Sequence, residues 1–174
     1  LTISILCIVL EIYKQIVYSF SYDGEKIIFN YTWYVFPWQF CSTPMYIGLL
    51  AGLTKNNKLH EGFCAYLASY AVFAGLSVMI YPSAVLTDII GINIQTMLCH
   101  GSMITIGIFL ICTGYVKTNF RTFLKAVPIF LIAFAVAVIL NESANLLGIL
   151  EQGEFNMFYI SPYGKPVIPV LTQI

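Results

Sequence analysis

Charge is scarce in this sequence. Eight basic and eight acidic residues make up 9% of its 174 positions, against 59% that are hydrophobic. A soluble domain carries about 25% charge, so the composition excludes an ordinary soluble domain and reads as an integral membrane protein. Mean hydropathy, at +0.85, agrees. The two signs cancel, leaving no basic surface for a nucleic-acid partner. The chain opens at Leu1 already apolar, with no basic leader and no small-residue cleavage site. A signal peptide is therefore not expected. We expect the chain to begin inside a longer protein and to stop shortly after a further helix opens.

Cysteine is sparse in the loops. Cys7, Cys41, Cys64, Cys99 and Cys112 all fall in apolar stretches. Their number is odd, so a disulfide scaffold is not expected and buried thiols are the default reading. No close pair of histidines exists, His60 and His100 being far apart, so no metal site is expected. No cofactor motif, internal repeat or linker is visible.

What the chain does have is a series of apolar segments of about 20 residues, the length of a membrane span. Leu1–Phe20, Trp33–Leu53, His60–Ile80, Thr96–Tyr115 and Ala126–Leu147 are the candidates, with a sixth opening near Pro166. The expected fold is an all-α, polytopic transmembrane bundle of five spans plus the start of a sixth, one domain over 1–174. Lys55 and Lys58 follow the second span, and Lys117, Arg121 and Lys125 follow the fourth. Positive charge in short loops marks the cytoplasmic side, so residues 54–59 and 116–125 are expected there. Tyr31, Trp33, Tyr34 and Trp38 would anchor at the outer interface.

Polar residues interrupt these segments at Glu11, Lys14, Gln15, Gln39, Cys41, His100, Asn141, Glu142 and Asn145. An ionisable group in hydrocarbon costs roughly 2.5–3.5 kcal/mol even on lenient scales, so such groups are expected to face a shared interior. At a rise of about 1.5 Å per residue, Cys41 would lie about 12 Å and His100 about 6 Å below the outer surface. They form the one Cys–His pair at matching depth on different segments. A buried thiol is inert unless a base removes its proton, and histidine is the side chain tuned to do so. Packing is the competing role, since cysteine is common in membrane helices and histidine often bonds between them. Cys99 adjoins His100 but points about 100° away, so it is expected to face elsewhere.

Glu11, Lys14 and Gln15 share one helix face, where Glu11 and Lys14 either neutralise each other or line a polar cavity. Pro37 and Pro44 bracket Cys41 and are expected to bend the second span around it. Gly48-x-x-x-Gly52 and Ala71-x-x-x-Gly75 read as close-packing motifs.

The stretch Phe36-Pro37-Trp38-Gln39-Phe40-Cys41 resembles the Leu-Pro-x-His-x-Cys signature of the YwaF-like family of multi-pass membrane proteins. Glu11, the His100-Gly101 pair and the turn Asn156-Met157-Phe158-Tyr159 fit the same family, with Gln39 standing where it usually has histidine. The resemblance implies a compact helical fold in a bacterial plasma membrane. The wider family includes vertebrate lipid acyltransferases that use a membrane-embedded Cys and His. Carried over, it makes Cys41 the nucleophile and His100 the base.

Two functions stay open on this reading. In one, the protein is a Cys/His-dependent lipid acyltransferase or hydrolase, with membrane lipids as partners. Glu142 and Asn141 would then orient His100 or hold the oxyanion. In the other, it binds or transports a small polar ligand without catalysis. Glu11, Gln39, Asn141 and Glu142 would be the contacts, with Asn145 flanking them.

Overall fold

The computed structural model describes residues 1–148, 150 and 154–163. The expected sixth segment near Pro166 lies outside them. Five helices carry the fold: α1 (Thr2–Val17), α2 (Thr43–Leu53), α3 (Asn57–Ile80), α4 (Ile90–Cys112) and α5 (Phe120–Leu146). Of these, α3, α4 and α5 are long and apolar enough to cross a membrane. They expose most of their apolar surface outward, as helices facing lipid do.

The helices in the first two expected spans are shorter than the sequence suggests. The 16 residues of α1 reach about 24 Å and the 11 of α2 about 16 Å, against a hydrocarbon core of about 30 Å. Trp33–Leu53 is not one bent helix. It holds a single 3-10 turn at Trp33–Val35, an irregular passage through Pro37, and then α2. Hydropathy sees composition alone. Pro37 removes a donor and Pro44 suits the first turn of a helix, so helix begins only there. The 12 Å depth for Cys41 assumed helical rise from Trp33 and falls with it.

The all-α expectation also misses a hairpin. β1 (Phe20–Tyr22) pairs antiparallel with β2 (Ile27–Phe29), Phe20 opposite Phe29. Their rings meet edge to face with centroids 6.0 Å apart. Asp23 closes the turn by accepting from the amides of Glu25 and Lys26, each at 2.9 Å, and Gly24 takes φ 102°. Those amides hold the Asp23 carboxyl below the usual aspartate range.

The long helices start at capped ends. Asn56 accepts from the amides of Lys58 and Leu59 at α3, and Asn119 accepts from Thr122 at α5. Within α3, residues Leu67–Ala71 form one π turn. Small residues set the helix crossings. Gly48 of α2 meets Ser4 of α1, Gly75 of α3 meets the His100 carbonyl of α4, and Gly107 of α4 meets Val72 and the Leu67 carbonyl. A cluster around Tyr66, Ala71, Met103 and Ala126 forms the main core.

Candidate functional site

Cys41 lies in the turn just before α2, one residue ahead of its N-cap Ser42. The turn is closed by the amides of Ser42 and Thr43, both donating to the Gln39 carbonyl. A thiolate formed there would lie by the positive end of the α2 dipole. His100 sits on α4, where the close Gly75 contact presses α3 against its backbone. Both side chains line one cavity of about 250 Å³, bounded by α1, α2, α4 and the irregular passage between the hairpin and α2. Across it Cys41 and His100 are side-chain neighbours.

The imidazole is oriented. His100 Nδ1 lies 2.7 Å from the carbonyl oxygen of Thr96, one turn earlier. A carbonyl only accepts, so Nδ1 carries the proton and Nε2 the lone pair. That Nε2 is buried and, among the described residues, has no hydrogen-bond partner. Catalytic hydrogen bonds are often longer without substrate and tighten when it arrives.

Glu11 also enters the cavity. Its Oε1 receives Lys14 Nζ at 2.7 Å and Gln15 Nε2 at 2.7 Å, while Gln95 Nε2 approaches Oε2 at 3.5 Å. Gln15 is fixed in turn by donating to the Val35 carbonyl at 2.9 Å. Neutralisation and cavity lining, posed as alternatives by the sequence, are thus both present in the same residues.

The remaining expected residues fall elsewhere. Gln39 touches the cavity, but its amide is occupied: Nε2 donates to the carbonyls of Tyr34 and Asn156, and Oε1 accepts from the Phe158 amide. Asn141 is buried and bonds both ways with the Met157 backbone, at 2.7 and 3.0 Å. Neither it nor Asn145 lines the cavity. Glu142 lies on an exposed face of α5, off the cavity. One residue of helix turns a side chain by about 100°, so burying Asn141 drives Glu142 outward. Glu142 as orienter of His100 is corrected on that ground.

Cys99 is a correction too. It lines the same cavity, packed with Cys7 and Met45, rather than facing away from it.

Sequence reasoning missed Gln95, Thr96 and Tyr159, all of which line the cavity. Thr96 stands one turn before His100 and Gln95 one turn before Cys99, a spacing that puts each pair on one face. That periodicity was readable. Tyr159 was not, because it arrives from the far end of the chain. The strap at 154–163 is held by Gln39 and Asn141, with Phe158 and Tyr159 both at positive φ. Such backbone costs of order 1–3 kcal/mol per residue and persists only where the surroundings hold it.

No curated protein and no solved structure matches this chain. A family model matches residues 1–171, nearly the whole chain, and on that match the protein belongs to the TMEM164 family of membrane proteins.

Proposed function

We propose that this protein is an intramembrane acyltransferase or lipid-ester hydrolase in which Cys41 is the nucleophile and His100 the general base. One observation carries the reading: His100 is fixed through Nδ1 while its buried, unpartnered Nε2 shares a cavity with the neighbouring Cys41 thiol. Buried polar groups are nearly always bonded, so a bare nitrogen beside a thiol calls for a chemical reason. The resemblance of residues 36–41 to the YwaF-like signature supports the same pair.

In this mechanism Nε2 takes the thiol proton as Sγ attacks the ester carbonyl carbon. The tetrahedral intermediate collapses, the carbon–oxygen bond breaks, and the leaving alcohol receives the proton from Nε2. The acyl group remains on Cys41 as a thioester. An acceptor hydroxyl, or water, then attacks the thioester with Nε2 again as base, and the thiol is restored.

The test is acylation by a lipid ester with an isotopically marked acyl chain. A hydroxylamine-sensitive acyl adduct is expected on the Cys41 peptide, absent in Cys41→Ala and slowed about 10²–10⁴-fold in His100→Ala. An adduct that forms equally without His100 overturns the mechanism. The Glu11–Lys14 pair lining the cavity favours a second reading, binding of a polar ligand without chemistry. Saturable binding with no adduct would select it.

A further inference from the structure

The Glu11–Lys14 pair has no part in the proton transfer just described, yet it lines the same cavity. Its two side chains are 8% and 15% exposed. Removing charges from water costs several kcal/mol per ion, and a buried pair often stabilises no better than apolar residues of its size. Packing alone gives little reason for it.

The pair's hydrogen-bonding capacity is lopsided. Glu11 accepts from Lys14, Gln15 and Gln95, so its accepting capacity is largely taken up. An ammonium has three donors. Among the described residues Lys14 Nζ has one partner, Glu11 Oε1, which leaves two N–H groups without one, and Lys14 lines the cavity. Lys14 is also the one Lys or Arg side chain lining the cavity among those residues. What the pair offers a ligand is therefore the free donors of the ammonium.

Position narrows this further. Lys14 is three residues from the end of α1, at the end that carries the hairpin, with Tyr18 and Tyr34 lining the cavity beyond it. A cavity of about 250 Å³ is below the roughly 300–1,000 Å³ that encloses a drug-sized ligand. It can hold a polar end and an ester while the acyl chains remain in the bilayer.

We propose that Lys14 is a specificity-determining residue: held in place by Glu11, its ammonium receives an anionic oxygen group at the polar end of the lipid whose ester meets Cys41. The inference rests on the proposed function for the position of the ester. The anionic group is a phosphodiester or a free carboxylate, and the test separates them.

Lipid protection of Cys41 against a small maleimide, read on the Cys41 peptide of the full chain in phospholipid-free maltoside micelles, needs no acyl transfer. Its failure is thus distinct from failure of acyl-enzyme formation. The competitors are a glycerophospholipid, the diacylglycerol with the same chains, and the free fatty acid. The native protein is expected to be protected at least tenfold more strongly by an anionic competitor than by diacylglycerol. Preference for the glycerophospholipid assigns the phosphodiester, and preference for the fatty acid the carboxylate. Lys14→Met should abolish the preference, and Lys14→Arg should keep it. If Lys14→Met does not fold, Lys14→Gln, which keeps a donor without charge, should abolish it equally. A native protein without the preference, or an uncharged Lys14 variant that retains it, overturns the proposal.

Discussion

Gln39 does at residue scale what the sequence could only register as an oddity. Its amide donates to two carbonyls, Tyr34 and Asn156 at 3.1 Å each, and accepts from the Phe158 amide at 3.1 Å. It ties the passage before α2 to the strap over 100 residues later. Leucine at this position would fill similar space and leave those backbone groups without their partner. An orphaned buried group costs about 1–3 kcal/mol. Gln39→Leu is accordingly expected to lower stability by at least that much, seen as a depressed thermal midpoint. It should also loosen the strap, read as faster proteolysis at Glu154–Tyr163. A variant with unchanged midpoint and protection would show that Gln39 does not hold the strap. The sequence made Gln39 legible as a polar residue inside an apolar stretch and silent as to its partner, because Asn156 and Phe158 are remote in the chain. Asn141 presents the same case: its burial was predictable from cost, its bonding to Met157 was not.

At the scale of elements, the α3–α4 crossing positions His100. A Cβ on Gly75 would lie 2.8 Å from the His100 carbonyl oxygen and 2.9 Å from Ile104 Cγ1. Backbone must move to admit it. Gly101, next to His100 on α4, has open space where its Cβ would stand. The two glycines therefore form a matched pair. Gly75→Ala is expected to destabilise by about 1–3 kcal/mol through overpacking and to slow acylation of Cys41. Gly101→Ala is expected to be neutral or to stabilise by up to about 1 kcal/mol through helix propensity. Thermal unfolding with acylation rates checks both, and equal effects at the two sites would remove the crossing from the account of His100. Here the sequence was informative, since Ala71-x-x-x-Gly75 announced a close contact. It was misleading at Trp33–Leu53, where apolar composition hid a break at Pro37. It gave no hint of the β1–β2 pairing as strands.

For the whole molecule, two independent contacts gather the lysine-rich connections at one end. The His60 ring nitrogen Nε2 lies 2.7 Å from the Tyr115 hydroxyl, and Lys125 pairs with Glu61. At the other end the passage that follows the hairpin meets the strap, where Trp33 and Phe36 pack against Phe155. Loop charge alone predicted that residues 54–59 and 116–125 share a side, and the fold brings their neighbourhoods together by contacts that charge does not require. Positive charge resists transfer across a membrane, so that end is expected in the cytoplasm and the hairpin outside. In a variant with Cys112, the exposed free thiol, replaced by serine, single cysteines at Asn57 and Asn119 should react with a membrane-impermeant thiol reagent only after the membrane is opened. One at Glu25, in the exposed hairpin turn, should react in sealed cells. The opposite pattern would invert the molecule. Its consequence reaches the site: Lys14 and Tyr18 lie toward the hairpin end of α1, so the lipid offered to Cys41 would then come from the cytoplasmic leaflet instead of the outer one.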